Sequence, residues 1–93
     1  MNESKTQMRN DILNSLADDY ENIDTIISQL QGVSRNVVVK QVSDMVQENL
    51  IKPHIYNDKT KHLEACELEL SKIDNYWFGL TKKGEELFKD IYS

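Results

Sequence analysis

The hydrophobic period of this chain changes once, at Leu50-Ile51-Lys52-Pro53. Upstream, apolar side chains recur every three to five residues, as on one face of a helix; downstream they recur every second residue, as on one face of a strand. A chain with that order has to set a helical half against a small sheet. Its 93 residues leave room for one domain, read as spanning 1–93. Leu, Ile, Val and Phe fill 25 of the 93 positions, above the roughly 20% below which charged chains tend to stay disordered.

Met8, Ile12, Leu13, Leu16 and Tyr20 mark a first helix over about 8–20. After a polar break at Glu21-Asn22, the residues Ile23, Ile26, Ile27 and Leu30 mark a second helix. Asn22 is placed to cap it and Gln31-Gly32 to end it. Ser34 opens a third helix, where its hydroxyl is expected to accept a bond from a first-turn amide. Val38, Val42, Met45, Val46 and Leu50 share one face of that helix. The β-branched run Val37-Val38-Val39 makes a strand the competing reading, but the 38/42/45 spacing outweighs it.

Beyond the switch, Pro53 suits a strand edge or start, His54-Ile55-Tyr56 reads as a short strand and Asn57-Asp58-Lys59-Thr60 as a polar turn. Cys66, Leu68 and Leu70 alternate with polar residues, which predicts a half-buried strand. Lys72–Asn75 reads as a turn, Tyr76, Phe78 and Leu80 as a further strand, and Thr81 as the cap of a last helix with the stripe Leu87, Phe88, Ile91, Tyr92. The order is helix, helix, helix, strand, hairpin, helix: an α+β chain.

Net charge is −5, which argues against indiscriminate binding to polyanions. The charge is uneven, however. Residues 1–29 carry −4 and 63–75 carry −3, whereas 30–62 carry +2 through Arg35, Lys40, Lys52, Lys59 and Lys61. No run approaches the ~18–20 apolar residues of a spanning helix, and the polar start Met1–Thr6 lacks a signal peptide's apolar run. With one cysteine, Cys66, no internal disulfide forms. The expectation is a cytoplasmic protein without a membrane partner.

Catalytic and metal chemistry find little footing. There is no G-x-S-x-G, phosphate loop or H-E-x-x-H. His54, His62 and Cys66 lack the paired spacing and fourth ligand of a zinc site. No cofactor and no metal are expected, and the chain is read as a non-enzyme.

Three stretches resemble the winged helix-turn-helix family. Ile26–Val38 is similar to its second helix, glycine-containing turn and third-helix start. Val42–Ile51 is similar to the close of that third helix, with Asn49 where the family commonly has glycine. Tyr76-Trp77-Phe78-Gly79-Leu80-Thr81-Lys82-Lys83-Gly84-Glu85-Glu86-Leu87-Phe88 resembles the last wing strand running into a Leu-Thr-x-x-Gly helix start. The likeness spans about 8–92 and is nearest to small members from Gram-positive bacteria and their phages. It implies three helices, a small antiparallel sheet or wing and a C-terminal helix. It also implies sequence-specific binding of double-stranded DNA by a small transcriptional regulator, with a recognition helix at about 34–50 and a wing at about 54–80. Two departures stand out: Gln31 lengthens the turn, and Lys59–Asp74 is longer and more acidic than a simple wing.

With Val38, Val42 and Met45 inward, the helical wheel turns Asn36, Lys40, Ser43 and Gln47 outward in one row, beside Asp44. Asn and Gln pair with adenine's donor and acceptor, and Lys with guanine or a phosphate. Ser34 and Arg35 at the helix start are candidates for a phosphate, and Lys59, Thr60 and Lys61 at the wing tip for the neighbouring backbone. So few cations bind weakly, which favours two copies on adjacent half-sites. Leu87, Phe88, Ile91 and Tyr92 are the candidate homodimer surface, unless they close the domain's own core. The alternative is a protein-interaction module, such as a phage-encoded inhibitor gripping a host protein by its acidic face. In that reading Trp77 is exposed near Glu64, Glu67 and Glu69.

Overall fold

A computed structural model describes residues 2–30 and 32–92, with side chains from Lys5 onward. Gln31, the proposed turn insertion, lies outside the described residues. Among the described residues four helices, α1 (Asn2–Ser15), α2 (Ile23–Gln29), α3 (Arg35–Gln47) and α4 (Lys82–Tyr92), accompany three strands, β1 (Ile51–Asn57), β2 (His62–Ala65) and β3 (Trp77–Leu80). A 3-10 helix at Leu70–Asn75 stands between β2 and β3. Both partners of β1 are antiparallel, and the sheet order is β2-β1-β3. The architecture is α+β. Among the described residues no helix is long and apolar enough to cross a membrane.

The first helix stops at Ser15, not near residue 20. Ile12, Leu13 and Leu16 are buried, as their spacing requires, but Tyr20 has left the helix, its backbone N–H bonded to the Asp19 carboxylate at 2.8 Å. The reason is tertiary. The chain must extend here so that Glu21 can exchange two backbone hydrogen bonds with Phe78, at 3.0 and 2.8 Å, along the free edge of β3. That single bridge covers an edge that would otherwise expose unpaired amides.

Asn22 caps α2 as expected, its Oδ1 accepting the Thr25 N–H at 2.9 Å. Ser34 stands at the N-cap of α3 with extended backbone, yet its side chain makes no capping bond, contrary to expectation. α3 is a helix through the three valines, with Val38, Val42 and Met45 fully buried. It ends in a Schellman motif: Leu50 N–H bonds Met45 O and Asn49 N–H bonds Val46 O, both at 3.0 Å, with Asn49 at φ 61°. Asparagine therefore fills a position that usually falls to glycine.

Pro53 occupies the central strand rather than an edge. Its carbonyl accepts the Cys66 N–H at 3.0 Å, but it has no N–H to return. The β1–β2 ladder ends there. The strand expected through Cys66, Leu68 and Leu70 is accordingly replaced. β2 stops at Ala65, and residues 66–69 run on outside the ladder with the Glu69 N–H bonded to the Tyr76 hydroxyl at 2.9 Å. The 3-10 helix then buries Ile73 while Leu70 stays 56% exposed. Tyr76 and Phe78 face the core as the alternation predicts, their rings edge to face with centroids 6.0 Å apart.

The start of α4 is clamped onto the end of α3. Thr81 Oγ1 donates to Asn49 O at 2.5 Å and accepts the Gly84 N–H at 3.0 Å; Thr81 N–H bonds Leu50 O, and Lys83 Nζ bonds Glu48 O. Carbonyls left over at the end of one helix are thus satisfied by the beginning of another. Gly84 has to be glycine, because a Cβ there would lie 2.0 Å from Leu50 O. Leu87, Phe88 and Ile91 pack against the chain's own core, and the Tyr92 hydroxyl donates to Asn10 O at 3.2 Å. Of the candidate homodimer stripe, only Tyr92 is left exposed.

Candidate nucleic-acid interface

α3 presents the outward row that its wheel predicts. Asn36, Lys40 and Gln47 are exposed and Ser43 is half-buried. Lys40 reaches one turn onward along the helix toward Asp44, with Nζ and Oδ2 3.8 Å apart. An exposed pair of that length is weak and easily exchanged for another anion. Ser34 is exposed at the helix start with its hydroxyl uncommitted to a cap.

Arg35 is placed differently from its neighbours. Its guanidinium bridges Asp24 of α2, at 3.2 Å, and Asp74 of the 3-10 helix. The hydrogen bond and charge of Asp74, followed by those of Asp24, hold its pKa above the ordinary arginine value. Arg35 therefore ties three segments together, and its charge is already answered by two carboxylates. The sequence could not announce this, since Asp74 lies 39 residues away.

Lys59, Thr60 and Lys61 sit on the turn joining β1 to β2, all exposed. The Asn57 side chain shapes the turn, its Oδ1 accepting the N–H groups of Lys59 (2.9 Å) and Thr60 (3.4 Å) while its amide donates to Glu64 at 2.9 Å. Thr60 Oγ1 also donates to Glu64, at 3.4 Å, and Lys61 takes the left-handed conformation at φ 62°. The two lysines are thus carried on a formed hairpin, roughly 20 Å along β1 from the end of α3 at ~3.3 Å per residue. Glu64 is spent on the hairpin, and among the described residues no three His, Cys, Asp or Glu side chains gather as a metal site.

Two further cations join the α3 surface that the sequence did not single out. An open cleft of about 660 Å³ runs between α1 and α3, lined by Lys5, Thr6 and Arg9 on one side and Gln41, Asp44, Gln47 and Glu48 on the other. Arg9 Nε is buried there without a hydrogen-bond partner among the described residues. Lys5 and Arg9 are four residues apart, so they share a helix face, but nothing in sequence says that this face meets α3.

The opposite side of the sheet gathers aromatic residues. Strand register puts Lys52, His54 and Tyr56 of β1 on one face with Leu63 and Ala65 of β2 and Trp77 of β3. Tyr20 lies across Gly79 on that face, with its ring edge-on to His54 at 4.7 Å. Trp77 is exposed as the alternation predicts. That Tyr20 and His54 share its face could not be read from the sequence, because they come from separate parts of the chain. No protein-family model, curated protein or solved structure matches the chain.

Proposed function

We propose that the chain is a small cytoplasmic winged helix-turn-helix protein that binds specific double-stranded DNA and regulates transcription. In this reading α3 enters the major groove and the β1–β2 hairpin is the wing. One observation carries it. α3 buries Val38, Val42 and Met45 and leaves Asn36, Lys40 and Gln47 exposed in a row, the side-chain types that read adenine and guanine edges. The single-residue bridge at Glu21, ahead of α2, and the hairpin that follows α3 support the same reading.

The charge available is modest. Lys40, Lys59 and Lys61, with Lys5 and Arg9 beside α3, are its phosphate contacts. Ser34 and the first amides of α3 add a neutral one, and Arg35 is a brace. With three to five phosphates neutralised, the log–log salt slope is about −3 to −4.5 per copy. Two copies on adjacent half-sites give useful affinity. Selection of genomic fragments by the purified protein, run beside a Lys40→Ala/Asn36→Ala variant, is the test. The wild type is expected to enrich a defined site that the variant does not; equal enrichment by both rejects the reading.

A second reading, recognition of a partner protein, is favoured by a different observation: the aromatic face of the sheet around Trp77, on which α3 has no bearing. Exposed tryptophan and tyrosine on one face are usual anchors of protein interfaces.

A further inference from the structure

We infer that the aromatic sheet face docks a basic protein partner, which inserts an arginine or lysine beside Tyr20; the inference rests on the second reading above and not on DNA binding. Tyr20, Tyr56 and Trp77 are 41%, 48% and 38% exposed on this one face. Large rings left in water together, rather than scattered singly, mark an interaction surface. One of them is packed in place: Tyr20 rests over Gly79 and against His54, whose Nδ1 lies 3.3 Å from the Trp77 backbone carbonyl. A ring already set in its bound position loses little side-chain freedom on binding.

The chemistry of the occupant follows from the border of that face. Next to Tyr20 lies a cleft of about 170 Å³, more polar than apolar, lined by Leu16, Ala17, Gly79 and Leu80 together with the acidic residues Asp18, Asp19 and Glu85. None of these three carboxylates is ion-paired among the described residues, and no lysine or arginine of this chain lines the cleft. Lys52, on the same face, is ion-paired with none of them. The cleft offers a ring to flank a long side chain and three negative charges to meet its head. A long basic side chain answers both. The same charges oppose a phosphate backbone. A second copy, itself carrying −5, is also a poor complement to an acidic rim.

Trp77 is the chain's one tryptophan, so its emission reports on this face alone. The full chain is titrated with two blocked peptides of equal length, one alternating leucine and arginine, the other leucine and glutamate. The leucine–arginine peptide is expected to shift Trp77 emission saturably. Its affinity should fall about tenfold in Asp18→Asn/Asp19→Asn/Glu85→Gln, and by about twofold or less in Asp58→Asn/Glu86→Gln/Asp90→Asn, which removes the same charge from exposed sites elsewhere. Equal loss in both variants reduces the effect to bulk charge and overturns the inference. Tighter binding of the leucine–glutamate peptide overturns the basic partner while leaving partner recognition standing. If neither peptide moves the emission, partner recognition at this face fails with it. The same holds if single-stranded oligothymidylate shifts it instead, or if the emission depends on protein concentration alone.

Discussion

Gly84→Ala is the sharpest test of how the helices are joined. In most helix interiors the change stabilises, because alanine gains about 1 kcal/mol over glycine in helix propensity. Here the added Cβ would sit 2.0 Å from Leu50 O and 3.0 Å from Leu50 C. Those atoms are backbone, held by the Thr81 N–H bond and by the Schellman turn of α3, so α4 must move rather than its neighbour. Overpacking of this kind costs about 1–3 kcal/mol. Pulling α4 back also weakens the Thr81–Asn49 and Lys83–Glu48 bonds, worth roughly 1 kcal/mol each. The net expectation is a loss of about 2–4 kcal/mol, or roughly 10–25 °C in Tm for a domain of this size. Gly79→Ala is the internal control. Its Cβ would lie 2.3 Å from the Tyr20 ring, but a half-exposed side chain can swing away, at the cost of its contact with His54, about 1 kcal/mol. Urea unfolding followed by helical circular dichroism measures both. A neutral or stabilised Gly84→Ala, or a Gly79→Ala that costs more, would refute the argument.

Three further outcomes are expected. Asn22→Ala removes a capping bond that is made, and should cost about 1 kcal/mol. Ser34→Ala removes one that is not made, and should stay within about 0.5 kcal/mol; denaturant midpoints of the two decide it. Burial pushes the Cys66 thiol pKa up, with Lys52 opposing weakly, so its alkylation at pH 8 should be slower in the folded chain than in urea. Because the folded thiol keeps its proton to higher pH, its contribution to stability is full below the ordinary thiol pKa and is lost as pH rises through the raised value.

Local chemistry was legible before any fold was known. The cap at Asn22, the left-handed Asn49, the buried 38/42/45 stripe and the inward Tyr76 and Phe78 each depend on residues within a few positions of one another. Periodicity and capping encode such things directly. The outward row of α3 follows from the same wheel, which is why the candidate DNA face could be drawn residue by residue.

Other features were settled only when distant segments met. Tyr20 leaves its helix because Glu21 is needed at the edge of β3. Residues 66–70 do not form the strand that their alternation predicts, because Pro53, on the facing strand, has no N–H to carry the ladder on. Arg35 is taken from the anion-binding set by Asp24 and Asp74, while Lys5 and Arg9 reach α3 across a helix contact. The sequence by itself determined the apolar faces of α2, α3, α4 and β3, since those are properties of neighbouring residues. Which charges stay free, and which rings share a face, was decided by tertiary structure, because an ion pair or a sheet register joins residues whose separation along the chain carries no local signal.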